Sequence, residues 1–335
     1  MVDYTKPWLS IDQQIAQLRD RGLLIGDVTS ASNLLQEVGY YRLTGYLYPA
    51  RQSEQYVDAQ GRTRTKILNT YRADTYIEHA AALIAFDREL RLLVLDAVER
   101  IEVSLRTQVG YILGAESAFA HLNERNFVPS FVAPYLNPKT DIETSKHAEW
   151  ISRVDERRTS SKEAFVEHFR TKYDNQMPIW ALTEILELGN LATLYGGLQN
   201  DLATRIARHY EVPTKTILAS WISSINYVRN VAAHQARLFN RKLVVAPTRP
   251  KEGAIQLLNH LRHESAPKQD FGLYNALSIM AYLLRGISGY SEWVAQLRAL
   301  IPTFPVSPHL NIDSMGFPAG WEGEPLWNLP GDTTH

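Results

Sequence analysis

From about Thr75 to Leu113 one apolar stripe runs unbroken, with Leu83, Phe86, Leu90, Val94, Ala97, Ile101 and Leu105 at three- and four-residue steps. That period marks one face of an α-helix, and its length makes a long helix the frame that the rest of the chain has to fit. The opposite face is charged. Glu102 and Arg106 stand one turn apart in the favourable acid-first order, with Glu99 one turn earlier. The pair reads as an ion pair bracing the helix; its functional version orients an active-site Arg or His on a facing helix.

Helical periods dominate elsewhere. Ser10 to Gln13 forms a capping box ahead of Ile11, Ile15 and Leu18, and Gly22 stops that helix. A second helix runs from about Ser30 to Val38 and ends at Gly39. Tyr40 to Pro49 is strongly aromatic, and Arg51 to Lys66 is polar, an exposed loop or short hairpin turning at Gly61. Pro129, Pro134 and Pro138 mark a loop before a charged helical stretch, Thr140 to Arg170. Pro178 and the Gly196-Gly197 pair bracket a helix containing Trp180 and Leu182 to Leu194, and Thr214 to Lys242 holds one or two more. Further helices are expected at Ala254 to His263, Phe271 to Gly286 and Ser291 to Leu300. The tail after Pro302 reads as irregular, with Trp321 and Trp327 pinning it to the body. The expected class is all-α, with added N- and C-terminal helices and a short irregular or hairpin insertion. The expected division is 1–72, helical and aromatic; 73–300, a helical domain with an insertion around 114–175; and 301–335, the packed tail.

Composition narrows the chemistry. The 335 residues include no cysteine, which excludes disulfides, a thiol nucleophile, iron–sulfur ligation and Cys-containing zinc sites. No stretch is long and apolar enough to span a membrane, and Asp3 and Lys6 with no apolar run after them do not read as a secretory signal, so a cytoplasmic protein is expected. With 35 Lys and Arg against 36 Asp and Glu, the balance argues against coating duplex nucleic acid through bulk charge. Phosphate-cradling Gly-rich loops, His-Glu-x-x-His, nucleophile elbows and calcium loops do not occur. His260, His263 and Glu264 have a metal-like spacing but read as a solvated charged turn, so no metal and no cofactor is expected.

What remains is Val228 to Arg241. On one helix, Asn230, His234, Arg237 and Arg241 fall at steps of four, three and four and share a polar stripe, with Arg229 about 100° round from Asn230. Between Val212 and Lys251 there are seven basic residues and no acidic one. Such a site suits phosphodiester chemistry on RNA. A His moves protons near neutral pH, and Arg presents paired donors to phosphate oxygens. Arg229, Asn230 and His234 are the candidate catalytic residues. Arg237, Asn240, Arg241, Glu102 and Arg106 are candidates for phosphate binding or support. Tyr40 and Tyr41, beside Tyr46 and Tyr48, read as core aromatics whose functional alternative is stacking on unpaired bases.

Arg229-Asn230-Val231-Ala232-Ala233-His234 resembles the Arg-x4-His motif of the HEPN superfamily, helical proteins many of which are metal-independent ribonucleases. The wider pattern resembles the abortive-infection (Abi) phage-resistance family related to AbiD and AbiF. Its ordered features are Leu9 to Gln14 with Arg21-Gly22-Leu23, Tyr40-Tyr41-Arg42-Leu43 with Gly45-Tyr46, and Phe86 to Arg91. They continue through Glu99 to Glu102 with Arg106, Trp180-Ala181 with Glu184, and Arg229 to Arg241, and end at Gly316-Phe317-Pro318, Trp321 and Pro325-Leu326-Trp327. The resemblance spans about Lys6 to Trp327. Ala232, Gln235 and Phe239 stand where the family often has Cys, a second His and Trp.

The resemblance implies a HEPN-like helical bundle and an endoribonuclease that leaves 2′,3′-cyclic phosphate ends, acting as an abortive-infection or toxin effector. It also implies a restraint before infection: a noncoding RNA, a small protein antitoxin or an infection-triggered rearrangement. Without a second His, the missing group could come from a second copy, so a homodimer is expected. The alternative is a non-catalytic RNA-binding or phage-sensing protein that uses the same basic site.

Overall fold

A computed structural model describes residues 3–263 and 272–329 of the chain. Among these, helices dominate and the two sheets are small, which establishes a mostly all-α fold. The order is α1 (Ile11–Asp20), α2 (Val28–Val38), α3 (Tyr40–Tyr46), the hairpin β1 (Arg51–Val57) and β2 (Thr63–Tyr71), then α4 (Ile77–Glu116). There follow α5 (Pro129–Val132), a two-residue ladder of β3 (Tyr135–Leu136) and β4 (Glu143–Thr144), α6 (Lys146–Ser160), α7 (Ala164–Lys172) and α8 (Ile179–Leu182). The chain continues through α9 (Leu188–Gly197), α10 (Asn200–His209), α11 (Lys215–Ala233), α12 (Tyr274–Arg285) and α13 (Tyr290–Leu300).

The 40-residue α4 is the axis of the molecule, and all seven residues of its expected stripe are buried. Leu93 and Val98 are buried as well, because α3, α8, α9, α10, α11, α12 and α13 all pack along it. Every residue of α12 from Tyr274 to Leu284 is buried, as expected for a helix apolar on all sides. The indole of Trp293 on α13 donates to the Leu93 carbonyl of α4 at 2.9 Å, and Trp327 of the tail donates to the Tyr274 hydroxyl at 3.1 Å. Trp321 and Trp327 are buried edge-to-face at 5.2 Å, so both pin the tail as expected.

Several local expectations hold. Ser10 accepts from the Gln13 amide while the Gln13 side chain accepts from the Ser10 amide, closing the capping box. Arg51 to Lys66 is a hairpin; its second strand runs on to Tyr71, which is buried and donates from its amide to the Arg21 carbonyl. Thr140 to Arg170 contributes α6 and α7.

Others need correction. The stretch between Pro178 and Gly197 is two helices, broken at 183–187, where Leu186 and Glu187 turn extended. The break is tolerated because Arg157 donates to the Ile185 carbonyl and Arg106 to that of Leu186. Residues 200–209 form α10, which sequence reasoning did not single out. Ala254 to His263 winds as a 3-10 segment, Gln256–Arg262, with the Gly253 amide taken by Asn259 and Arg262 reaching back to the Arg249 and Pro250 carbonyls. His260 is therefore buried against Tyr274 and not on a solvated turn. Glu264, the expected helix start at Phe271 and residues 330–335 lie outside the described residues.

Two buried histidines give the fold a pH dependence. Burial holds both His121 and His260 down to about 4. The unfolded chain then binds protons more readily than the folded one between about pH 6.5 and 4, so stability falls as pH drops through that window. The expected loss is on the order of 2 kcal/mol per histidine. Urea titrations from pH 7 to 4 check this: the slope of stability against pH should flatten in the His121→Gln, His260→Gln double variant.

Candidate functional site

The motif helix stops at the motif. α11 runs from Lys215, capped by Thr214, to Ala233, and His234 is its C-terminal cap residue. Gln235 follows with φ of 57°, in the left-handed region. The Gln235 amide donates to the Ala232 carbonyl and the Ala236 amide to that of Val231, both at 3.0 Å. That is the Schellman pattern, built on Gln where Gly is usual. The expected single stripe of Asn230, His234, Arg237 and Arg241 is thereby overturned: Asn230 and His234 share the last turn of α11, while Arg237 and Arg241 lie beyond the reversal.

The segment after the reversal is held by a buried carboxylate on the axis helix. Asp87 has no exposed surface. Its Oδ1 accepts from the Phe239 amide at 2.7 Å and the Leu238 amide at 3.1 Å. Its Oδ2 accepts from the Tyr46 hydroxyl and from Arg91, each at 2.5 Å. Burial, then the Asp87 charge, pushes the Tyr46 hydroxyl up to about 12, so it stays a donor. α3 adds two further ties, Arg42 to the Gln235 carbonyl at 2.7 Å and Arg237 to the Gly45 carbonyl. Asp87 occurs in the sequence pattern, yet it was not assigned to the site. The signal that points to it is an Asp87–Arg91 pair, acid first and one turn apart, set among the apolar residues Phe86 and Leu90.

The sequence candidates sort as follows. Arg229 is half-buried and donates to the Asn230 side-chain oxygen at 3.2 Å. His234 is exposed, and among the described residues its imidazole makes no hydrogen bond. Arg237 is half-buried on the Gly45 carbonyl, and burial lowers its pKa from the usual guanidinium value. Asn240 holds its side-chain oxygen out of solvent without a hydrogen-bond partner, and exposed Arg241 donates to the Tyr227 hydroxyl at 3.1 Å. Glu102 and Arg106 are not brought to this segment by hydrogen bonds. They pair with each other at 2.5 Å, and Arg106 serves the break at Leu186. Tyr40 is half-buried, its hydroxyl donating to Gln17 at 2.7 Å and accepting from Arg21 at 2.8 Å. Tyr41 stands edge-on to it at 6.0 Å and is exposed.

The folded chain thus joins two regions that sequence reading treats separately. A groove of about 570 Å³ is lined by Tyr41, Arg42, Gly45, Tyr46, Tyr48, Arg237 and Arg241, with no acidic residue. Arg42 lies 5.7 Å over the Tyr46 ring. The groove offers guanidinium groups and aromatic faces together, a combination suited to phosphates and bases.

Two outcomes test this construction. Asp87→Asn keeps the shape but leaves Arg91 buried opposite a neutral group, and should lower the unfolding free energy by about 3–5 kcal/mol; a loss below about 1 kcal/mol in urea titration would remove Asp87 as the anchor. Gln235→Gly relieves the left-handed conformation and should be neutral or raise stability by up to about 1 kcal/mol in the same assay.

Residues 33–240 match the family model described as Abi-like protein. No curated protein and no solved structure matches the chain. The match starts within α2 and ends at Asn240, so it contains α3, the axis helix with Asp87, and the Arg229 to His234 turn. No helix among the described residues is long and apolar enough to cross a membrane. With well over half of its length matched, the chain belongs to the Abi-like protein family, a membership that implies abortive-infection defence against phage.

Proposed function

We propose that the chain is a metal-independent endoribonuclease of the HEPN type, an AbiD/AbiF-like effector that acts on RNA in the cytoplasm of a phage-infected cell. The observation that carries this reading is His234, exposed and unengaged at the end of α11, one turn after Asn230 and close in sequence to Arg229. The acid-free groove of Arg42, Arg237 and Arg241 supports it by supplying cations for a phosphodiester strand.

In the proposed reaction His234 removes the proton of a ribose 2′-hydroxyl. The 2′-oxygen bonds to phosphorus as the bond from phosphorus to the 5′-oxygen breaks, and the departing 5′-oxygen takes up a proton. The products are a 2′,3′-cyclic phosphate and a 5′-hydroxyl. Arg229 stabilises charge developing on the phosphoryl oxygens, and Asn230, tied to Arg229, holds that guanidinium in place. Gln235 turns back in the left-handed conformation where a second His would stand, so the group that protonates the 5′-oxygen is His234 of a second copy in a homodimer. A noncoding RNA or a protein antitoxin keeps the effector silent before infection.

One observation favours a second reading, an RNA-binding or sensing protein without cleavage. The groove's lining includes Arg42, Arg237 and Arg241 but none of Arg229, Asn230 and His234, so its cations can grip a strand apart from the motif. Incubating wild type and His234→Ala with total RNA in EDTA separates the two. The nuclease reading expects cyclic-phosphate ends from wild type and a loss of roughly 10²- to 10⁴-fold in the variant. RNA retention by both proteins without any cut would instead establish the binder.

A further inference from the structure

The irregular segment before α1 carries residues that the proposed chemistry leaves unused. Tyr4, Lys6 and Trp8 fall at every second residue of the irregular stretch that leads into α1. Tyr4 and Trp8 are 78% and 85% exposed, and Tyr41 is 78% exposed. Three large aromatics keep most of their surface in solvent, where burial in the core does not account for them.

All four side chains line one cavity of about 690 Å³, together with Arg21 and Arg51. This lies within the roughly 300–1,000 Å³ typical of ligand sites. No acidic residue contributes to its wall. Among the described residues none of Lys6, Arg21, Arg42, Arg51, Arg237 or Arg241 lies within ion-pair distance of a carboxylate, whereas Arg62, Arg64, Arg91, Arg106, Arg157 and Arg205 all do. The cavity also continues the groove beside the motif. Tyr41 lines both, and Arg51 of the cavity lies 5.5 Å over the ring of Tyr48 in the groove.

We infer that this cavity is a subsite for an unpaired nucleotide of the RNA strand, its base stacked on Trp8 and Tyr41 and its flanking phosphates held by Lys6 and Arg51. The inference rests on reading the neighbouring groove as an RNA site, though not on cleavage there. Unpaired cations without any carboxylate favour a polyanion over a peptide, and interleaved aromatics favour a strand with exposed bases over a duplex. Tyr4, Lys6 and Trp8 precede the residues matched by the family model, so that half of the subsite lies outside the match, while Tyr41 and Arg51 lie inside it. It would select which single-stranded stretch reaches His234.

The test uses the full chain carrying His234→Ala, so that no probe is consumed, and fluorescein-labelled dodecamers of uridine and of adenosine. Anisotropy titrations should show affinity for the single strands falling roughly 5- to 100-fold in Trp8→Ala and in Tyr41→Ala, with Trp8→Phe restoring most of it. Lys6→Gln should weaken binding and reduce its dependence on salt. An unchanged melting temperature checks that Trp8→Ala, altered at an exposed position, stays folded. Equal affinities for parent, Trp8→Ala and Tyr41→Ala would overturn the subsite, as would binding of a proline-rich peptide with no binding of either dodecamer. The two proposals fail separately. Cleavage by wild type with Trp8-independent binding removes the subsite alone, and Trp8-dependent binding without any cleavage by wild type removes the nuclease alone.

Discussion

The carboxylate of Asp87 is the interaction on which the candidate site depends. A carboxylate with no exposed surface is tolerated only when donors replace its lost hydration, and four do so here. They come from three parts of the chain: Arg91 on the axis helix, Tyr46 on α3, and the Leu238 and Phe239 amides after the motif. Only Arg91 is near in sequence, and together the four fix where the chain goes after His234. Without them the backbone amides of a segment 151 residues away would have no reason to sit on α4.

The same tie explains why α11 ends where it does. Ala232 to Arg237 is composed of good or tolerable helix formers, and no Gly or Pro marks a stop. Propensity alone continues the helix, which would align Asn230, His234, Arg237 and Arg241. The fold instead accepts the cost of a left-handed Gln235, roughly 1–2 kcal/mol, because the reversal delivers two amides to Asp87 and two ties to α3. Tertiary hydrogen bonding overrides a local preference of that size. The reversal places His234 at a helix end, open to solvent, and brings Arg237 and Arg241 round to Tyr41 and Arg42.

Legibility in the sequence followed the range of the forces involved. The α4 stripe, the Ser10 capping box, the hairpin and the tail tryptophans were readable because burial period, capping and turn chemistry act over a few residues. The break between α8 and α9 was hidden because arginines on α4 and α6, not residues of the break, satisfy its carbonyls. That dependence also separates Glu102 and Arg106 from the motif: the guanidinium that looked available to a facing active site serves a backbone carbonyl. The three motif residues were legible as types in a pattern, but their surroundings came from α3 and α4. Arg42, which helps set those surroundings, is visible only as a member of the wider pattern, and Asp87 also through its one-turn spacing to Arg91.

The near-zero net charge also takes on a different meaning once its spatial distribution is known. The pairs of Arg157 with Glu187 and of Arg205 with Glu116 stand at the surface with both side chains partly exposed, where a pair contributes little. Lys6, Arg21, Arg42, Arg51, Arg237 and Arg241, none of which has such a partner, gather where α3, the segment before α1 and the turn after α11 meet. Bringing like charges together is unfavourable in isolation, and the fold stabilises the cluster chiefly with dipoles: the Gln235 and Gly45 carbonyls and the Tyr46, Tyr48 and Tyr227 side chains, with the buried Asp87 carboxylate a counter-charge to Arg237. Carbonyls and aromatic faces hold a guanidinium in place without neutralising it. A carboxylate in the same position would compete with an incoming phosphate. The cluster therefore meets a ligand with no carboxylate on its wall, which separates it from the arginines paired at the surface.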